Sequence, residues 1–224
     1  MKTKLASNSF MVFSAVYLLI ILSGREEIAW FLKPFLLPFL LFLVYTFDNF
    51  PTKKILLFAL TFSWFGDVIL LFSESGKLYF IFGLIAFLIS HVIYIILFNK
   101  QLKPNKFKLS FLFLIGIGVV LLYLLVLLSL LSPHLGDLKL PVIIYATVIS
   151  TMLLFAFKGS LHWQKPANSY ILFGAIIFVS SDSILAINKF YSALPNASFW
   201  IMLTYLAAQF LIVSGVLLLN KKAA

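Results

Sequence analysis

Four ionisable residues lie inside long apolar runs of this sequence and are the first candidates for chemistry: Lys33, Asp67, His91 and Asp182. An ionisable side chain at membrane depth costs ~2.5–3.5 kcal/mol on insertion scales, so such residues are functional candidates by default. Two carboxyl groups suit general acid–base catalysis, in which a neutral acid donates a proton and an ionised partner activates water. We therefore interpret Asp67 and Asp182 as a catalytic pair.

The composition defines the class of protein around these residues. The 224 residues are 63% hydrophobic and 11% charged, against roughly 45–50% and 25% in soluble domains. We predict an integral membrane protein with one domain, residues 1–224. The net charge is +10, but the lysines lie between apolar runs rather than along one stripe, so no nucleic-acid partner is expected. No cysteine is present, which excludes a disulfide, a thiolate nucleophile and a cysteine metal site.

A helix needs ~20 apolar residues to cross a ~30 Å hydrocarbon core. Eight segments meet this length, which predicts an all-α, polytopic bundle of eight transmembrane helices. They lie at about 8–23, 28–47, 53–72, 78–98, 108–131, 140–157, 170–189 and 197–219. The basic start "MKTK" also suits a signal peptide, but no clean cleavage site follows, so a retained helix is the favoured interpretation.

The distribution of Lys and Arg predicts the orientation. In the eight-span arrangement, twelve of these residues fall on one side and four on the other, with Lys33 inside a span. This bias places both termini in the cytoplasm. A helix rises ~1.5 Å per residue. Three of the ionisable residues therefore lie in one layer, about 8–10 Å from the non-cytoplasmic ends of their helices: Asp67, Asp182 and Lys33. His91 lies deeper.

Helical spacing puts further polar residues on the same faces as these groups. The three faces are expected to point into the bundle, with Gly66 and Gly83 as points of close helix approach. The faces comprise Ser63, Gly66, Asp67 and Leu70; Gly83, Phe87, Ser90, His91 and Tyr94; and Phe178, Ser181, Asp182, Leu185 and Asn188.

Structural interpretations of the same residues stay open. Either aspartate, paired with Lys33, would form a structural ion pair that holds helices in register. Alternatively, Lys33 lies near the membrane interface and its side chain extends its charged end to the water. His91 suits an interhelical hydrogen bond, and Tyr94 and Tyr145 suit packing. A zinc site is not expected, because one histidine in the membrane is too few. Ser90 and His91 are adjacent in sequence and do not face each other, which disfavours a serine hydrolase.

Four stretches together resemble the lysoplasmalogenase (YhhN-like) family: "WFLKPFLLPFLL", "GDVILLF", "FGLIAFLISHVIYIILF" and "GAIIFVSSDSILAINKF". The resemblance covers about residues 10–218. It implies an eight-helix membrane enzyme without a cofactor that hydrolyses the vinyl ether bond of lysoplasmalogens. The products would be a fatty aldehyde and glycerophosphoethanolamine or glycerophosphocholine. The family's paired catalytic aspartates would correspond to Asp67 and Asp182.

The expected substrate is therefore a lysophospholipid that enters from the bilayer, and the expected location is the bacterial inner membrane. Six residues are candidates for head-group binding or support of the acids: Lys33, His91, Tyr94, Ser181, Asn188 and Ser90. Two other classes remain open. One is a proton- or cation-coupled transporter that relays protons through the aspartates, and the other is a non-catalytic lipid-binding protein.

Overall fold

The computed structural model describes residues 2–102 and 110–221, and within them the chain is helical without strands. The helices are α1 (Lys2–Leu22), α2 (Glu26–Leu32), α3 (Leu36–Thr46), α4 (Lys53–Leu70), α5 (Lys77–Lys100), α6 (Phe111–Leu131), α7 (Lys139–Ser160), α8 (Ala167–Ala186) and α9 (Ala197–Leu219). Short 3₁₀ segments cover Lys33–Phe35, Ser132–His134 and Gly136–Leu138, and a π-helical turn, Ile187–Tyr191, extends α8. The all-α prediction is confirmed.

Seven stretches among the described residues are long and apolar enough to cross a membrane. They are Thr3–Leu22, Glu26–Thr46, Lys77–Lys100, Phe111–His134, Gly136–Ser160, Ala167–Tyr191 and Ala197–Leu219. The predicted span at 53–72 corresponds to α4, whose 18 residues include Lys53, Lys54 and Asp67. The count of eight spans and the side of the termini stay predictions. Residues 108–109 of the predicted fifth span, and Lys103, Lys106, Lys108 and Lys222 of the charge count, lie outside the described residues.

The surface of α6 fits a lipid environment. Only Val120 and Leu131 of this helix are buried, whereas Leu122, Leu125 and Val126 are 64%, 65% and 58% exposed. Soluble monomers rarely expose apolar patches of that extent. An integral membrane protein is the interpretation that accounts for this helix.

The chain forms two compact units. One is the described part of Met1–Tyr94 with Asn220–Ala224; here α3 packs against α1 and α4. Its fully buried leucines include Leu36, Leu37 and Leu40. Gly24 follows the end of α1 with a φ of +73°, and the N–H groups of Gly24 and Arg25 donate to the carbonyl oxygens of Ile21 and Ile20 in a Schellman turn.

The other unit is Ile95–Leu219. Its most extensive contact joins α8 to α9, and α7 packs between α6 and α8. Gly174 and Gly215 make the α8–α9 contact possible. A Cβ at Gly174 would lie 2.9 Å from the backbone nitrogen of Ile212, and one at Gly215 would lie 3.0 Å from that of Ile171. The backbones therefore approach as closely as small residues allow in membrane helices.

Candidate active site

The carboxyl group of Asp67 belongs to an almost fully buried side chain. It lies on α4, three residues before the helix ends at Leu70, and only 3% of its surface is exposed. Burying a charge is costly unless partners compensate it. The surroundings of this carboxyl group therefore decide what it can do.

The contact between α4 and α5 builds one wall beside Asp67. Ser63 and Ser90 are fully buried, and their hydroxyl oxygens are 2.7 Å apart. Ser90 also donates to the carbonyl oxygen of Ala59 at 2.8 Å. Ser90 has one hydroxyl proton, and we infer from the bond to Ala59 that Ser63 is the donor between the two serines. This chain of hydrogen bonds fixes α5 against α4 one turn from Asp67.

The predicted close approach at the glycines is confirmed. A Cβ at Gly66 would lie 2.5 Å from the ring of Phe87, and one at Gly83 would lie 2.5 Å from the side chain of Leu70. Phe87 is 7% exposed. The glycine beside Asp67 therefore makes room for an aromatic ring that shields this part of α4.

His91 and Tyr94 are both fully buried on α5. Their burial agrees with the predicted inward face of that helix. Polar groups at this depth need partners within the protein. Whether either residue contacts a substrate stays a prediction.

Lys33 lies at a break in the second predicted span. Pro34 has no N–H group, so the helix that begins at Glu26 gives way to the 3₁₀ segment before α3. Trp64 on α4 donates its indole N–H to the carbonyl oxygen of Pro34 at 2.8 Å. This bond ties the break to the helix that carries Asp67. The side chain of Lys33 is half-buried there, and its pairing with an aspartate stays a prediction.

Tyr17 on α1 is a neighbour of Asp67 that the sequence analysis missed. It is 3% exposed, and its hydroxyl is close enough to interact electrostatically with the Asp67 carboxyl group. A buried tyrosine hydroxyl usually has a polar partner. That rule is the sequence signal that points to Tyr17, because this tyrosine lies in the middle of an apolar run.

Asp182 on α8, in the second unit, has a different environment. Its side chain is half-buried, and its Oδ2 accepts a hydrogen bond from the hydroxyl of Tyr145 on α7 at 2.5 Å. Tyr145 is 9% exposed. Tyr145 is buried, as the packing interpretation expects, and its hydroxyl in addition donates to the carboxyl group of Asp182.

Two more hydroxyl groups adjoin Asp182. Tyr123 on α6 and Ser183 are joined by a hydrogen bond of 2.6 Å, and Tyr123 also interacts electrostatically with Asp182. Ser181 donates to the carbonyl oxygen of Ile201 on α9 at 3.0 Å. Asp182 is thus set in a polar layer that joins α6, α7, α8 and α9.

Asn188 has a structural contact. Its side-chain oxygen accepts a hydrogen bond from the backbone N–H of Leu194 at 2.9 Å. This bond closes the turn between the π-helical end of α8 and α9. The predicted role of Asn188 in binding a head group is untested.

An apolar groove lies elsewhere on the same helix pair as Asp67. It has a volume of about 380 Å³ and is lined by Phe62, Phe65, Ile69, Tyr79, Phe82, Ile85, Ala86 and Ile89. Phe65 and Ile69 are two residues from Asp67 on either side, which is about 200° around a helix. The groove therefore opens on the face of α4 opposite the carboxyl group, and we do not assign it to the site.

The described residues contain no group of three or more His, Cys, Asp or Glu side chains placed to hold a metal ion. What the two aspartates have in common is a position on a long helix, a buried or half-buried carboxyl group, and a tyrosine from another helix. The fold and these residues define a helical membrane protein with an acidic pair as its candidate reactive groups.

Comparison with known proteins places the chain in a family. The sequence model of the YhhN family matches residues 28–216, so this chain belongs to that family, and the resemblance seen in its motifs is confirmed. It is 29% identical over 169 residues to lysoplasmalogenase TMEM86A of Bos taurus, covering 72% of this chain and 65% of that protein. It is 34% identical over 163 residues to human lysoplasmalogenase TMEM86B, covering 71% and 62%.

A relative named lysoplasmalogenase from Mycobacterium bovis is 30% identical over 141 residues, covering 61% of this chain and 50% of that protein. This chain thus spans less than two thirds of the length of these relatives. No solved structure matches it. The relatives are hydrolases by name and give the transport alternative no support.

Proposed function

We propose that this protein is a membrane lysoplasmalogenase, an ether hydrolase that cleaves the vinyl ether bond of alkenyl-glycerophosphoethanolamine or alkenyl-glycerophosphocholine. The observation that carries the proposal is the match to relatives named lysoplasmalogenases, in a chain that places Asp67 and Asp182 on two long helices. The products are a fatty aldehyde and the glycerophospho-base.

The chemistry suits two carboxyl groups. A neutral aspartic acid protonates the β-carbon of the vinyl ether, which leaves an oxocarbenium ion and a carboxylate. The second aspartate, ionised, takes a proton from water as the water oxygen attacks this cation. The resulting hemiacetal collapses as its hydroxyl proton passes to the glycerol oxygen, and aldehyde and alcohol separate. One water is consumed, and proton exchange between the acids and solvent restores the starting state.

The substrate has one alkenyl chain and a zwitterionic head, so we propose that it enters sideways from the bilayer with its chain among the Phe and Leu side chains. Six polar side chains on the predicted inner faces are the candidates for binding the head group or supporting the acids: Lys33, His91, Tyr94, Ser181, Asn188 and Ser90. Of these, Ser90, Ser181 and Asn188 also hold helices or turns together.

The proposed topology has eight spans in one domain, with α4 as the span that carries Asp67 and both termini in the cytoplasm of a bacterial inner membrane. The absence of cysteine makes this easy to test by single-cysteine labelling in intact cells. Cysteine at Glu74, after α4, should react with an impermeant maleimide, and cysteine at Asn49, before α4, should react only after lysis. The reverse pattern would invert the topology.

The activity test uses purified protein in detergent and 1-alkenyl lysophosphatidylethanolamine, with release of free aldehyde as the measurement. The matched control substrate is the 1-alkyl ether analogue, which lacks the double bond and has no β-carbon to protonate. We expect aldehyde from the alkenyl lipid alone. An absence of aldehyde from the alkenyl lipid would overturn the proposed function. A transporter would release no aldehyde, because it moves a solute between two compartments and leaves the ether bond intact.

A further inference from the structure

The hydrogen bond from Tyr145 to Asp182 distinguishes the two aspartates. We propose, on the basis of the proposed hydrolase function, that Tyr145 is a positioning residue that holds Asp182 as the water-activating member of the pair, which leaves Asp67 as the proton donor. Tyr145 acts through Asp182 and need not touch the substrate.

The geometry restricts what the Asp182 carboxylate can do. The hydroxyl of Tyr145 donates to Oδ2 at 2.5 Å, so that oxygen is occupied as an acceptor. An ionised carboxylate has about four acceptor sites on its two oxygens, so it can accept a hydrogen bond from water as well as the one from Tyr145. Because the two residues lie on α7 and α8, the bond also fixes the rotamer of Asp182 against a second helix. Small displacements of a catalytic group cost rate steeply.

Exposure supports the same assignment. Asp182 is half-buried, so its side chain is less enclosed by protein than that of Asp67. Asp67 is 3% exposed, and a neutral carboxyl group is much cheaper to bury than an ionised one. A proton donor must be neutral before the reaction, whereas a water-activating group must be ionised.

Tyr123 offers a matched control. Its hydroxyl bonds Ser183 at 2.6 Å, one residue from Asp182, and it interacts with the Asp182 charge only through space. Tyr123→Phe removes the same atom as Tyr145→Phe, and also removes one hydrogen bond to α8. The two variants differ in whether the lost bond is to the carboxylate.

The first test compares both variants with the wild type by aldehyde release at varied substrate concentration. We expect Tyr145→Phe to lower kcat roughly ten- to a hundredfold with KM within about twofold. Tyr123→Phe should show a clearly smaller loss at a similar thermal unfolding temperature. Equal losses in the two variants, or a change confined to KM, would overturn the proposal.

The second test separates the two acids by isotope exchange. If Tyr145→Phe slows only the capture by water, the protonated intermediate reverts more often to substrate. Alkenyl lipid recovered from D₂O should then carry deuterium at its β-carbon, and more of it than with the wild type. If Asp182 is instead the proton donor, the variant slows protonation and the recovered lipid gains no deuterium. A wild type that releases no aldehyde overturns the proposed function, whereas an active wild type with a fully active Tyr145→Phe overturns this inference alone.

Discussion

The surroundings of Asp67 and Asp182 differ in what fixes each carboxyl group. Asp67 is enclosed by the α4–α5 contact, in which Gly66 admits the Phe87 ring and two serines join the helices. Asp182 is less buried, and the Tyr145 hydroxyl holds it directly. Burial favours a neutral acid, and a donated hydrogen bond favours a carboxylate. These two environments agree with the two roles that we propose for the aspartates.

The helix contacts behind the two aspartates differ as well. In the first unit, a Cβ at Gly66 or Gly83 would meet side chains, Phe87 and Leu70. In the second unit, a Cβ at Gly174 or Gly215 would meet the backbone of the partner helix. A side chain can turn away, but a backbone atom moves only with its helix. The scaffold behind Asp182 should therefore tolerate less change.

The largest expected effect is the loss of either carboxyl group. Asp67→Asn and Asp182→Asn keep the shape but can neither donate an acidic proton nor accept one from water. Each should lower aldehyde release by about 10²- to 10⁴-fold, with the protein still inserted in membranes. Asp48→Asn, in the exposed loop after α3, is the matched control and should keep full activity. A rate above about a tenth of wild type in either variant would break the pairing of roles.

The next effect concerns the glycine contacts. Gly174→Ala would place a Cβ 2.8 Å from Ile212 Cγ1 and 2.9 Å from its backbone nitrogen, so α8 and α9 must separate. Overpacking costs about 1–3 kcal/mol, and we expect Gly174→Ala to lie at the upper end and Gly66→Ala at the lower end. The measurement is thermal unfolding in detergent.

Gly118→Ala is the control for the glycine variants, because nothing lies within 4 Å of its Cβ position. Replacing a helical glycine there should raise stability by about 0.5–1 kcal/mol. An equal or larger loss for Gly66→Ala than for Gly174→Ala would mean that the Phe87 ring is as immobile as a backbone, and the contrast between the units would fail.

Much of the helical architecture was predictable from the sequence, because twenty-residue apolar runs leave few alternatives in a membrane. Helical spacing also predicted that Gly66 and Gly83 lie at a close contact and that Ser63, Ser90 and His91 are buried. These inferences needed only local periodicity. They therefore agree with the structure although they used no information on how the helices are arranged.

The tyrosine neighbours were not predictable in the same way. Tyr17 and Tyr145 lie 50 and 37 positions from the aspartates that they adjoin, and spacing along one helix carries no information about such pairs. The helix break at Pro34 was partly predictable from the sequence, since proline has no backbone N–H to donate. Its attachment to Trp64, thirty residues later, was not.

A smaller effect is expected when Asp67 loses its tyrosine neighbour. Tyr17→Phe removes a hydroxyl that interacts with the carboxyl group through space, so kcat should fall about 2- to 10-fold, the equivalent of roughly 0.5–1.5 kcal/mol. That loss should be smaller than the loss for Tyr145→Phe. Tyr45→Phe, at a tyrosine that is 70% exposed on α3, is the control. If Tyr17→Phe lowers kcat more than Tyr145→Phe does, the tyrosine hydroxyl matters more to Asp67 than to Asp182. The contrast in which a hydrogen bond prepares Asp182 and burial prepares Asp67 is then reversed.

The smallest expected effect lies in the serine pair beside Asp67. Ser90→Ala removes both the bond to Ala59 and the acceptor for Ser63, whereas Ser63→Ala removes the bond between the serines and leaves the bond to Ala59 in place. Interhelical hydrogen bonds in membranes average about 0.6 kcal/mol, so Ser90→Ala should destabilise the protein about twice as much as Ser63→Ala in detergent unfolding. Equal losses would mean that Ser90 donates to Ser63 rather than to Ala59. In that case the hydroxyl chain runs in the opposite direction, and Ser63 presents a donor where we infer an acceptor.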